Sequence, residues 1–152
     1  MDVSGHSQAR DERRTRSRNI VEHLETERAE VLVNFCRVAG IEPYESPNQQ
    51  PNQEECLRDF CQLMVDYLAA GHFGLYQRFI DGQERRREIY KLAEKLYPQI
   101  AKTTQFALDF NDKYEHETED AFNDEFSEDL SKLGQALATR IELEDRLLQA
   151  IN

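Results

Sequence analysis

Between about residue 8 and residue 39, apolar residues return at intervals of three and four. Ile20, Leu24, Val31, Leu32, Phe35 and Val38 fall on one stripe, which predicts a helix with a single buried face. Gly40 offers a left-handed stop, and Pro43 keeps the helix from resuming. Arg10, Arg13, Arg14, Arg16 and Arg18 precede the stripe with little apolar sequence to hold them down, so residues 1–16 are expected to fray. Residues 41–53 gather Pro43, Pro47 and Pro51 among Asn and Gln and read as a connector loop.

Helical spacing returns at Glu54, with Leu57, Phe60, Cys61, Met64, Val65 and Leu68 apolar. Gly71 interrupts it, and Phe73, Leu75, Tyr76, Phe79 and Ile80 form a shorter set before Gly82; a bend is expected near Gly71. From Gln83 to Leu96 the apolar positions are Ile89, Tyr90, Leu92, Ala93 and Leu96. Proline suits the first position of a helix, so a new one is expected at Pro98, buried along Ile100, Thr104, Ala107, Phe110 and Tyr114. An acidic link near 115–122 leads to a last helix marked by Phe126, Leu130, Leu133, Leu137, Ile141, Leu147 and Ile151. No segment sustains an alternation of period two. The expected fold is all-α: one domain over 1–152, a mainly antiparallel bundle of four long helices plus one or two short helices.

Composition adds limits. A chain of 152 residues can bury one core, and its 6 Gly and 4 Pro leave room for few loops. No stretch approaches the roughly 20 apolar residues that cross a bilayer, and the first residues lack a signal-like apolar run. A cytoplasmic protein without a membrane partner is expected. Cys36, Cys56 and Cys61 cannot pair completely and form no compact ligand spacing, so they read as reduced thiols filling small gaps.

The net charge of −11 is unevenly placed. Residues 1–40 balance seven acids with seven Lys or Arg, whereas 41–152 carry 23 acids against 12 bases. Within 109–129 stand ten acids and one base, Lys113. Such a field repels nucleic acid and favours a basic protein surface, although an acidic face can also serve solubility alone.

Candidate chemistry is sparse. The chain has no phosphate-binding glycine loop, dinucleotide glycine pattern, HExxH zinc helix or GxSxG elbow. His6, His23, His72 and His116 are scattered, and no Glu-x-x-His pair exists to build a carboxylate-bridged metal site in a bundle. Neither catalysis nor a metal or cofactor is expected. Arg140 and Glu144, four apart near the last helix's apolar seam, read as an intrahelical ion pair contributing about 0.2–0.5 kcal/mol.

The segment from Asp59 to Tyr76 is more informative. Asp66 and Phe73 stand seven apart, which on a continuous helix puts them on one face. A carboxylate beside an exposed aromatic suits a protein-binding anchor. Spacing alone favours the plainer assignment, with Phe73 in the core and Asp66 in solvent.

The run Asp59-Phe60-Cys61-Gln62, Val65-Asp66-Tyr67-Leu68, Ala70-Gly71-His72-Phe73 and Tyr76 closely resembles the bacterial anti-sigma family called regulator of sigma D, with its AlgQ relatives. Weaker matches follow the same order at Gly40-Ile41-Glu42-Pro43, Pro98-Gln99, Thr104-Gln105, Leu130-Ser131, Gly134, Ala136-Leu137, Arg140 and Leu143-Glu144-Asp145, so the likeness spans about residues 17–148. The resemblance implies a helical bundle that binds the −35-reading domain of the primary sigma factor of RNA polymerase, with the polymerase core as a further candidate partner. It places Asp66, Phe73, Ile20 and Leu24 at sigma-contact positions. Relatives carry Asp-Arg-Trp-Leu where this chain has Glu22-His23-Leu24-Glu25, so Leu24 stands in place of an aromatic anchor. Sigma sequestration would favour alternative sigma factors without chemistry. A helical adaptor that modulates a different regulatory protein or enzyme through the same face is the alternative.

Overall fold

The computed structural model describes residues 3–41, 53–77, 86–116 and 122–151, and only the backbone of 3–17. Four α-helices account for most of them: α1 (Val3–Ala39), α2 (Gln53–Gly71), α3 (Arg87–Tyr114) and α4 (Asp124–Ile151). Helix α2 runs on into a π-helical segment, His72–Tyr76. No strand occurs among the described residues. The three prolines of the connector, and Phe79, Ile80 and Gly82, lie outside the described residues.

Strict spacing of buried positions builds the bundle. In α3 the buried series is Ile89, Ala93, Leu96, Ile100, Thr103, Ala107, Phe110 and Tyr114, and in α4 Phe126, Leu130, Leu133, Leu137, Arg140, Glu144, Leu147 and Ile151. Both alternate steps of four and three, the seam of knobs-into-holes packing. In α1 the same rule buries Leu24, Val31 and Val38 at intervals of seven. Leu32 falls one position off that seam and is exposed, contrary to its expected place in the stripe. Each fully buried Leu or Phe contributes about 1.5–3 kcal/mol of transfer free energy.

Cross-contacts fix the directions. The Phe35 and Phe60 rings meet at 5.9 Å, while Ile20 lies against Gly74, so α1 and α2 are antiparallel. Phe60 meets Phe110 at 6.4 Å and Tyr76 meets Tyr97 at 5.9 Å, which reverses α3 against α2. Arg86 Nη1 donates to the Ile151 carbonyl at 3.3 Å, and Lys113 Nζ donates to Glu125 at 2.6 Å and Asp129 at 2.9 Å, which reverses α4 against α3. Arg28 reaches Glu144 and Phe35 reaches Gly134, closing the ring antiparallel between α1 and α4. This is the all-α antiparallel bundle that periodicity predicts.

Helix ends follow local chemistry. Gly40 adopts φ 69° after α1; its N–H reaches the Arg37 carbonyl at 3.3 Å, and the Ile41 N–H reaches that of Cys36 at 3.0 Å. Those two bonds form a Schellman stop, which needs a residue at ease with positive φ. Asn123 Oδ1 accepts the Phe126 N–H at 3.0 Å and caps α4. None of the three cysteines forms a disulfide. Burial, and then the nearby Glu115 charge, push the Cys61 thiol up to about 12, so it stays protonated.

Pro98 does not begin a helix, as sequence reading expects; it sits inside α3. The buried series passes it without a break, and Pro98 itself is exposed. The carbonyl that loses its N–H partner is that of Glu94, another exposed residue, and water can satisfy it. Tertiary packing of the seam therefore overrides local propensity. Pro98→Ala should restore the bond: a propensity gain near 3 kcal/mol, less about 0.4–1 for the freer unfolded chain, leaves roughly 2 kcal/mol of added stability. A thermal melt should rise by several degrees, and an unchanged or lower midpoint would mean that the ring packs in a way that offsets the missing bond.

Candidate functional site

The outward side of α2 carries Glu55, Asp59, Gln62, Asp66 and, as the second residue of the π segment, Phe73, all exposed. Steps of three and four keep the first four in one stripe down the helix, and Phe73 follows Asp66 by seven residues. Gln62 Nε2 donates to Asp66 Oδ1 at 3.1 Å, an exposed bond. Phe73 is 73% exposed, the most exposed large apolar side chain among the described residues, and its only ring neighbour among them is His72, edge-on at 4.8 Å. The core assignment that spacing favours for Phe73 is therefore corrected.

Ile20 is half-buried beside this stripe, 3.4 Å from where a Cβ on Gly74 would lie. Leu24, one turn on, is 1% exposed and belongs to the core. Three of the four expected contact residues thus reach the surface, and the fourth is buried in the core. The dense acidic run is elsewhere: Asp109, Asp112, Asp124, Glu125 and Glu128 sit where α3 ends and α4 begins, at the opposite end of the bundle from Ile20 and Phe73. The exposed acids on the α2 stripe itself are Glu55, Asp59 and Asp66, and Asp66 is the one of them nearest Phe73 in the chain.

Beneath the face lies a buried polar cluster. Glu144 is 0% exposed and Arg140 1%. Glu144 Oε1 accepts from Tyr76 Oη at 2.9 Å and from Arg140 Nε at 3.0 Å. Its Oε2 accepts from Tyr67 Oη and from Arg28 Nη2, the latter at 3.1 Å. Four donors fill the carboxylate's capacity. Arg140 also donates to Thr104, and Arg28 Nη1 donates to Asp145 at 2.7 Å, so two cations face two carboxylates. The Arg140 guanidinium lies 5.4 Å from the Tyr67 ring centroid and 5.6 Å from that of Tyr76. Burial, and then the adjacent Glu144 charge, hold both phenols well above the usual tyrosine range.

The Arg140–Glu144 pair is intrahelical, as its spacing predicts, but it is a core element joining all four helices rather than a surface pair. Gly71 makes the cluster possible: a Cβ there would lie 3.0 Å from Arg140 Nη2 and 3.2 Å from Tyr76 Cε2. Near Gly71, where a bend is expected, the residue stays right-handed and the chain widens into a π turn closed by the Gln77 N–H on the His72 carbonyl.

The sequence matches the family described as Regulator of RNA polymerase sigma(70) subunit, Rsd/AlgQ, over residues 4–152. The chain belongs to the Rsd/AlgQ family. Among curated relatives of this family, the regulator of sigma D of Yersinia enterocolitica is 40% identical over 124 residues, which cover 80% of this chain and 74% of the relative. That of Enterobacter sp. strain 638 is 40% identical over 122 residues, with 80% and 73% covered. That of Yersinia pseudotuberculosis is 37% identical over 124 residues, with 80% and 73% covered. An Rsd/AlgQ protein is a regulator and not an enzyme. Among the described residues no group of three His, Cys, Asp or Glu could hold a metal ion, and no helix is long and apolar enough to cross a membrane. Spacing in this Rsd/AlgQ chain does not reveal Arg28, Tyr67 and Tyr76 as partners of Glu144, or Thr104 as a partner of Arg140.

Proposed function

We propose that this protein is a cytoplasmic anti-sigma regulator that binds the −35-reading domain of the primary sigma factor through the face around Asp66, Phe73 and Ile20. Membership of the Rsd/AlgQ family supports a sigma partner, and the observation that carries the residue-level reading is Phe73, 73% exposed on the same stripe as an exposed carboxylate. A helix-turn-helix domain that reads DNA presents a basic surface. Phe73 and Ile20 supply apolar area to exclude water from it, and Asp66 supplies a partner for one arginine. A sigma factor held this way cannot engage the −35 element or the polymerase core, which leaves core enzyme to alternative sigma factors. The binding is stoichiometric and uses no cofactor.

Calorimetric titration of the purified −35-reading domain tests this. Binding should be one to one, should be competed by −35 promoter DNA, and should weaken as salt rises, because exposed charges are screened beyond about 8 Å at physiological ionic strength. Affinity that ignores salt would make the contact apolar and remove Asp66 from it. No association at micromolar concentrations would overturn the reading and favour the adaptor alternative.

A further inference from the structure

We propose that Tyr76, held from inside by Glu144, is a positioning residue: it locks the π register of His72–Tyr76 and so sets how Phe73 is presented beside Asp66 and Ile20. The proposal rests on the partner face described above and adds what controls its shape.

The argument begins with rotation along a helix. Tyr67 and Tyr76 are nine residues apart, and at about 100° per residue an unbroken α-helix would turn them to opposite sides. Yet both hydroxyls donate to one buried carboxylate, Tyr67 to Oε2 and Tyr76 to Oε1. Only the wider turn between them allows this. The buried positions of α2 keep α-helical spacing through Leu57, Phe60, Cys61, Met64, Tyr67, Leu68 and Gly71, which an α-helix would continue at Gly74 and Leu75. Leu75 still fits the row through Leu68 and Gly71, but Tyr76 beside it is buried as well, and Gly74 rides against Ile20. The extra residue in the turn is thus taken up between Gly71 and Tyr76, the stretch that carries Phe73.

Glu144 therefore stabilises the π register by accepting Tyr76, and the bare backbone of Gly71 lets the Arg140 guanidinium stand beside that bond. Tyr67 belongs to regular helix before the turn, so its bond to the same carboxylate is register-neutral. Without the Tyr76 hydroxyl the segment is free to relax toward α-helical spacing, which rotates Phe73 and Gly74 relative to Asp66 and Ile20.

The test compares Tyr76→Phe with Tyr67→Phe, each of which removes one hydroxyl from Glu144 and keeps the ring. Both should lower the melting temperature. Only Tyr76→Phe should speed amide exchange across 72–77 while leaving 57–67 protected. Only Tyr76→Phe should weaken sigma binding, by about tenfold, within the range that residues outside an interface exert on it. Equal losses of binding in the two variants, or unchanged exchange at 72–77 in Tyr76→Phe, would overturn the proposal and leave both tyrosines as purely structural. Failure of the wild type to bind sigma would instead sink the partner reading, and the exchange comparison would still decide whether Tyr76 sets the register.

Discussion

Glu144→Ala should lower stability by about 3–5 kcal/mol, the cost of removing one partner from a buried ion pair. The figure is large because the substitution strands more than a salt bridge. Arg140, 1% exposed, loses its carboxylate, two buried phenols lose their acceptor, and Arg28 keeps only Asp145. For a domain whose whole stability is typically about 5–15 kcal/mol, the melting temperature should drop by roughly 6–20 °C. A loss below about 0.5 kcal/mol would show the pair behaving as an exposed i,i+4 pair and would discount the network. The same cluster gives an alkaline prediction. Both tyrosine pKa values are raised in the folded state, so their contribution is fully present below the unfolded value near 10 and is lost as pH rises beyond it. Stability measured by denaturant should fall across that range.

How the fold was legible follows from the same residues. Apolar spacing alone gives four helices and their antiparallel packing, because most seam positions are Leu, Ile, Val or Phe. Errors arise where the seam holds something else. In α4 the steps of four and three from Phe126 lead through Leu137 to Arg140 and Glu144 before Leu147. Counting only apolar residues selects Ile141 instead, which is half-buried. In α1 the row of Val21 and Phe35, seven to either side, has Arg28 at its centre. Three charged residues at seam positions on facing helices signal a buried network, and that signal was present in the chain. Pro98 escapes the pattern for a related reason: local propensity argues for a helix start there, whereas the seam continues through it.

The partner face was less legible. Grouping Phe73 with Leu75 and Tyr76 as one apolar set makes it a core residue, whereas the π turn after Gly71 buries the latter two and leaves Phe73 exposed. Nothing in a single sequence announces a π turn; it results from Tyr76 reaching a carboxylate 68 positions away. Resemblance placed Asp66, Phe73, Ile20 and Leu24 together without that geometry. The structure gathers the first three at the surface and turns Leu24 inward, where a leucine packs without the indole N–H that an aromatic anchor would have to satisfy.

Phe73→Ala should cost sigma binding about 2 kcal/mol or more while moving stability by less than about 0.5 kcal/mol, since truncating an exposed side chain leaves no cavity. Asp66→Ala should behave alike. Its exposed bond from Gln62 holds up little of the fold, whereas a carboxylate paired with arginine at a desolvated contact costs roughly 2–5 kcal/mol of binding when removed. Leu24→Ala supplies the contrast: from a site 1% exposed it should lose about 2–5 kcal/mol of stability, so any weaker binding should come with a lower melting temperature. Titration and melting of the three variants together separate anchor from support. Wild-type affinity in both Asp66→Ala and Phe73→Ala would remove the α2 stripe from the interface, whatever sigma contact remained. Restored binding when Asp66→Arg meets a sigma domain with the facing arginine changed to aspartate would identify the pair directly, because a like-charge contact costs several kcal/mol until one sign is reversed.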